Sequence, residues 1–234
     1  MSAMPGGSLV DQAVRRVRDH IRTRDLKVGD TLPGEGDFAA DLGVSRAVMR
    51  EAFGALAALR LIDVGNGRRA RVGAIDGSVM ATSIDHAVAT AQISTADVWD
   101  VRRTLELKTA ELAARHRSDE DARAVVGHAA AMATAIDRAD ELIAHDIALH
   151  QAVARASGNP LFFQIVRSFE PLMRVAVPTA WETRRTAEQQ REMLTLHRHL
   201  ADTIADRDAE AARDAMDRHF DASIADLFRR SRAA

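Results

Sequence analysis

Leu42-Gly43-Val44-Ser45-Arg46-Ala47-Val48-Met49-Arg50-Glu51-Ala52-Phe53 carries the punctuation of a tight turn between two short helices. Gly43 can take the left-handed conformation that ends one helix, and Ser45 can cap the next. Ala39, four residues before the glycine, is small enough for the two helices to cross closely. On the second helix Arg46 and Arg50 share one face, while Val44, Val48 and Ala52 take another stripe. The arginines are thereby left to point out of the core, which reads as a DNA-recognition helix.

Upstream, Leu9 to Arg24 reads as a helix with Val10, Val14, Val17 and Ile21 on one apolar face. Arg15, Arg18 and Arg22 fall on other faces and read as a solvated surface. Lys27-Val28-Gly29-Asp30 turns the chain, and Pro33-Gly34-Glu35 starts a short helix running to Leu42. Downstream, Leu56, Leu59 and Leu61 continue the apolar signal of the recognition helix. Ile62-Asp63-Val64, Gly65-Asn66-Gly67-Arg68-Arg69 and Ala70-Arg71-Val72 then spell a two-stranded hairpin with Asn-Gly at its tip. Three helices followed by such a hairpin make a winged helix-turn-helix. Arginines on the second helix and at the ribbon tip suit DNA: arginine pairs bidentately with guanine, and a glycine lets the wing approach the backbone.

Composition supports this division. The chain has 234 residues, 47% of them hydrophobic, enough for two small globular domains. Its net charge of −2 hides an uneven balance: 12 Lys+Arg against 9 Asp+Glu through Ala74, and 20 against 25 after it. A basic first part joined to an acidic remainder implies that the first part meets phosphates. With no cysteine there is neither a disulfide framework nor a thiolate metal site. Met1 to Ser8 lacks the blocks of a signal peptide, and no later apolar run reaches membrane-spanning length, so a soluble, cytoplasmic protein is expected, with no membrane partner.

Gly73 to Ser78 reads as a short linker, placing a first domain at residues 9–74 and a second at 78–232. The second reads as wholly helical: Ser78–Ala91, Thr95–His116, Asp119–Ile136, Ala139–Ser157, Pro160–Val177, Glu182–Ala205 and Asp208–Arg230, with breaks at Ser157-Gly158-Asn159-Pro160 and Pro178. The fold class is mainly α, a winged helix-turn-helix followed by an all-α antiparallel helix bundle.

One constellation in the bundle carries chemistry. Asp146 and His150 are four apart on one helical face, while His197 and His219 flank the Asp206-Arg207-Asp208 turn at similar distances, roughly 16 Å at 1.5 Å per residue. In an antiparallel hairpin those two histidines lie at one level and can face each other. Three imidazoles and a carboxylate suit zinc or another borderline divalent ion such as nickel. The alternative is isolated surface or core histidines. His145 and His199 fall off the shared faces. Arg102 borders the stripe Val98, Val101, Leu105 and Leu112, and its planar fork can clamp a carboxylate; the alternative is a surface pair with Glu106, four residues on.

Leu32-Pro33-Gly34-Glu35, Leu42-Gly43-Val44-Ser45-Arg46, Arg50-Glu51-Ala52 and the hairpin around Gly67 resemble the winged-helix domain of GntR-type bacterial transcription regulators. Arg102-Arg103-Thr104-Leu105-Glu106, Asp146 to His150 with Ser157-Gly158-Asn159-Pro160, and His197 through Asp208-Ala209-Glu210-Ala211-Ala212 to His219 resemble the helical FCD domain of that family's FadR branch. The resemblance spans nearly the whole chain. It implies a homodimer that binds a pseudo-palindromic operator on double-stranded DNA and is released by a small organic acid. It further implies a divalent metal on Asp146, His150, His197 and His219, a carboxylate held by that metal with Arg102, and DNA contacts from Arg46, Arg50 and Gly67. Arg68 and Arg69 join these contacts on the reading of the hairpin alone.

Three departures stand out. Gly34-Glu35-Gly36 replaces a Ser-Glu-Arg, removing a frequent DNA-contacting arginine; Ala47 replaces a threonine; Leu196 replaces a glutamate before the histidine. Ala47 can still meet a thymine methyl. Two other functions fit the pattern less well: a metal-dependent enzyme with an accessory DNA-binding domain, and a regulator of the same fold binding an acyl ligand without metal. No His-Glu-x-x-His helix, nucleophile elbow or phosphate-cradling glycine loop supports the enzyme.

Overall fold

The computed structural model describes residues 7–184 and 186–231, so the first six residues, residue 185 and the expected domain end at 232 lie outside it. The chain divides into two compact units between Val79 and Met80. The first holds α1 (Leu9–Thr23), α2 (Glu35–Leu42), α3 (Arg46–Ala58), β1 (Ile62–Gly65) and β2 (Arg68–Val72). Ser8 and Asp11 form a reciprocal capping box at the start of α1. Gly43 closes α2 at φ +70°, a left-handed position that would strain any residue with a Cβ, and the Ser45 side chain accepts from Val48 N to cap α3. The turn between the helices is therefore written in two residues.

The core of this unit is Ala13, Val17, Leu32, Phe38, Met49, Ala52, Phe53, Leu56 and Ile62. On α3 the buried stripe is Met49, Ala52, Phe53 and Leu56, with Val44 and Val48 only packed on its edge. Leu59 and Leu61 are exposed, because α3 ends at Ala58 and Arg60 turns the chain at φ +57°. The strands pair antiparallel with Ile62 opposite Val72 and a bulge between Asp63 and Gly65. The turn after α1 joins this ribbon: Leu32 N donates to Ala70 O at 2.8 Å and Gly29 N to Val72 O at 2.9 Å.

After α4 (Ser78–Ala89), the second unit contains α5 (Thr95–His116), α6 (Asp119–Thr134), α7 (Ala139–Ala156), α8 (Pro160–Ser168), α9 (Glu170–Glu182), α10 (Ala187–Ala205) and α11 (Ala209–Ser231). Helix α5 packs on α7, α10 and α11, and α6 on α7 and α10. Ala110, Ala113, Leu149, Val153, Leu200, Ile204, Met216 and Phe220 meet at their centre.

Two expected boundaries move. The helix expected over Pro160–Val177 is two helices divided at Phe169, and the second runs through Pro178 to Glu182. Pro171 sits in the first turn of α9, where its missing N–H costs nothing; Pro178 removes an interior bond, but burial of Val177 and Ala180 holds the helix across it. The helix expected from Glu182 starts instead at Ala187, where Thr186 and Gln189 form a capping box.

Candidate metal centre and DNA-reading face

The functional groups of the second unit are drawn inward. Asp146 and His150 come from α7, His197 from α10 and His219 from α11, and all four are nearly inaccessible to solvent. One nitrogen each of His150, His197 and His219 lies within 4.8 Å of the other two. Asp146 Oδ1 approaches His197 Nε2 to 2.9 Å. That approach is off the direction a hydrogen bond requires, and His197 Nε2 is left with no hydrogen-bond partner, as is His219 Nδ1. Buried polar atoms without partners are costly, on the order of 1–3 kcal/mol each, and so point to a missing ligand.

The remaining ring nitrogens fix the chemistry of these side chains. His197 Nδ1 faces Met193 O at 2.9 Å and His150 Nδ1 faces Glu106 Oε2. An acceptor at Nδ1 places a proton there, so in the neutral form of each ring Nε2 is the nitrogen that can take a ligand. The His219 imidazole is held well below its usual range, first by burial and then by His197, His150, Arg102 and Arg184, and so stays neutral. Burial alone would raise the Asp146 carboxyl, but His197, His150 and Arg102 outweigh it and hold it lowered. Clustered imidazole nitrogens beside an ionised carboxylate are the donor set of a borderline divalent metal such as zinc, so the residues fit the group.

These side chains share a pocket of about 380 Å³, counted out to its mouth. Trp99, Val177, Trp181 and Phe220 form its apolar wall; Arg102 and Arg184 bring positive charge. Arg102 donates through Nε to Glu106 Oε1 at 2.7 Å and through Nη1 to Met173 Sδ, with its guanidinium 4.8 Å from the Trp99 ring centre and 5.5 Å from that of Phe220. The expected surface pair with Glu106 is therefore present but buried: Glu106 is 0% exposed and Arg102 5%. The inward face of α5 keeps Val98 and, in part, Leu105 of the stripe the sequence suggested, but not Val101. Val101 is exposed, whereas Arg102, Glu106, Thr109, Ala110 and Ala113 are buried, because the two charges satisfy each other. Glu106 was legible only as a neighbour of Arg102, and Trp181, Arg184 and Ser223 carried no sequence signal.

In the first unit the candidate contact residues stay outside. Arg46, Ala47 and Arg50 are exposed on α3, and Arg50 Nε lies 3.6 Å from Glu35 Oε2. A Cβ on Gly36 would stand 3.2 Å from Arg46 Nη2, so the glycine that replaces the expected arginine leaves room for the Arg46 guanidinium. At the wing, Gly67 has φ +72°, Arg69 is exposed, and Arg68 Nη2 is engaged by Asp63 Oδ2 at 2.8 Å.

A winged helix-turn-helix followed by a helical unit with a buried polar pocket defines a DNA-binding regulator with a ligand-binding domain. The family described as bacterial regulatory proteins, gntR family, matches residues 9–72, and the FCD domain family matches residues 97–222. The chain belongs to the GntR regulators with a C-terminal FCD domain. It is 26% identical over 218 residues to the HTH-type transcriptional repressor NanR of Escherichia coli strain K12, covering 90% of this chain and 81% of that one. The NanR of Salmonella newport strain SL254 is 25% identical over 214 residues, covering 90% and 82%. Among solved structures, Streptococcus agalactiae GntR superposes with a TM-score of 0.67 at 23% identity, covering 91% of this chain and 97% of that one. E. coli McbR/YncC does so at 0.50 and 19%, covering 97% and 100%. These structures share the fold. Both families are regulatory, and the chain is a transcription regulator and not an enzyme. Among the described residues no helix is long and apolar enough to cross a membrane.

Proposed function

We propose that this regulator is a cytoplasmic, homodimeric repressor whose hold on a pseudo-palindromic operator is controlled by a small organic acid bound beside a divalent metal, zinc in the first instance and nickel as the alternative. Residues 9–74 read DNA and residues 78–232 bind the effector. The observation that carries the effector half is the cluster of three buried histidines, two of them with an orphaned nitrogen, beside Asp146 and Arg102 in one pocket. The repressor sign rests on relatives named as repressors.

Asp146, His150, His197 and His219 would hold the metal, which supplies positive charge for a carboxylate oxygen. Arg102 supplies a planar fork for the same carboxylate. The apolar wall excludes water and strengthens both attractions. The enclosed part of the pocket is small, about 30 Å³, which favours a compact hydroxy or sugar acid over a long acyl chain. The acid favours a bundle arrangement that spaces two winged helices wrongly for their half-sites, a population shift that releases DNA.

Metal analysis of protein purified without a metal-binding tag, beside His150→Ala and His219→Ala, tests the site. Metal near one equivalent in the parent and near none in both variants is expected; equal content in all three sinks it. A mobility-shift titration on the DNA beside the gene, with Arg46→Ala and Arg50→Ala in parallel, tests the output. Parent-like binding by both variants would remove α3 from the interface.

A further inference from the structure

Neither the metal nor the acid of the proposed function would touch Glu106, yet the groups assigned to both rest on it. Its carboxylate is wholly buried between two helices: Oε1 accepts from Arg102 Nε on α5 at 2.7 Å, and Oε2 faces His150 Nδ1 on α7. We propose that Glu106 is the positioning residue that joins the two halves of the site, holding His150 with Nε2 open to a metal and aiming Arg102 at the carboxylate of the acid, so that metal and acid bind cooperatively. This inference rests on the metal and acid reading above.

The geometry leaves each partner little freedom. A carboxylate oxygen at Nδ1 demands the proton on that nitrogen, so the neutral ring of His150 carries its lone pair on Nε2. The Arg102 guanidinium is held at Nε by Glu106, at Nη1 by Met173 Sδ and across its faces by Trp99 and Phe220, so Nη2 remains for the pocket that Arg102 lines. A metal that orders His150 orders Oε2, and through the same carboxylate it orders Arg102. By linkage, the factor by which metal tightens acid binding equals the factor by which acid tightens metal binding.

Glutamine of the same shape cannot replace this carboxylate, because an amide offers one acceptor and one donor end. The charged Arg102 donor takes the amide oxygen, as the stronger partner. The NH₂ end is then presented to His150 Nδ1, which forces the proton to Nε2 and blocks the metal. Aspartate keeps two acceptors on a stem one methylene shorter and retains part of the function.

The test compares the full chain with Glu106→Gln and Glu106→Asp. Zinc affinity is measured by competition with a chromophoric chelator, the His150 tautomer by imidazole ¹⁵N shifts in metal-free protein, and acid binding by acetate titration with and without zinc. Glu106→Gln is expected to lose about 10- to 100-fold in zinc affinity. Its His150 proton should move to Nε2, and the tightening of acetate by zinc should vanish. Glu106→Asp should keep the Nδ1–H tautomer and an intermediate zinc affinity, which also serves if the glutamine variant fails to fold. Unchanged zinc affinity and tautomer in Glu106→Gln overturn the inference while the metal site stands. A parent chain that binds no zinc overturns the proposed function itself, and zinc binding without any effect on acetate removes the cooperative half of the inference.

Discussion

The two units keep their functional groups in opposite environments. Arg50 in the winged-helix unit is 76% exposed and only 3.6 Å from an acid, and Arg68 is paired at the surface. Exposed pairs of this kind contribute about 0–1 kcal/mol, so these arginines can leave their acids for phosphates or bases at small cost. In the helical unit Arg102, Glu106, Asp146 and three histidines are withdrawn from water. A buried charge must be matched or it destabilises, so removal of any member is felt by the whole group. One unit thus has function laid over a self-sufficient apolar core. In the other, the functional groups occupy core positions.

That contrast can be broken in order of expected effect. The largest belongs to the metal. Zinc at about a thousandfold excess over its Kd should stabilise the second unit by about 4 kcal/mol, read as a rise in melting temperature that a chelator reverses. His219→Ala should abolish the rise, and an unchanged response would return the histidines to an ordinary core.

Acid should act on the same unit. Because His219 is lowered well below 6.5 in the fold by burial and its cationic neighbours, the unfolded chain takes up that proton first. Between the two values the unfolded state binds more protons, so stability rises with pH there and is lost as pH falls below about 6.5. Denaturant midpoints of metal-free protein from pH 7.5 to 5 check the sign; a His219→Gln variant should flatten the slope.

Next come Arg46→Ala and Arg50→Ala. Each should cost about 1–3 kcal/mol of operator binding and relax specificity at one base pair, with the melting of the first unit unchanged. A loss of stability instead would mean that α3 uses these arginines for its fold. The smallest effect separates the two wing arginines. Arg69→Ala should weaken all DNA sequences alike and reduce the salt slope by about one, while Arg68→Ala should do less because Asp63 already competes for its guanidinium.

The legibility of the two units differed for the same physical reason. Gly43 and Ser45 act on backbone within a few residues, so the turn between α2 and α3, and the hairpin with Gly67, could be read directly from their spacing. Asp146 and His150 also obey a local rule, the four-residue helical repeat. His197 and His219 needed only the assumption of an antiparallel hairpin, and the structure brings both to His150. The inward face of α5 was legible only in part, through Val98 and Leu105, because apolar periodicity assumes that charged residues face water. Arg102 and Glu106 violate that assumption together, each making the burial of the other tolerable.

By itself, then, the sequence determined most of the elements, though not the division of the Pro160–Val177 helix, together with the capped turn of the reading helix and the kinds of ligand atom the bundle could offer, because capping, turn chemistry and helical repeat are local properties. Only the tertiary structure decided which oxygens and nitrogens face one another. Glu106 lies 44 residues from His150 and Met173 lies 71 from Arg102, separations that no periodicity spans. Their meeting depends on how α5, α7 and α9 close around one pocket, and burial there turns an ordinary i,i+4 ion pair into the support of a metal and acid site.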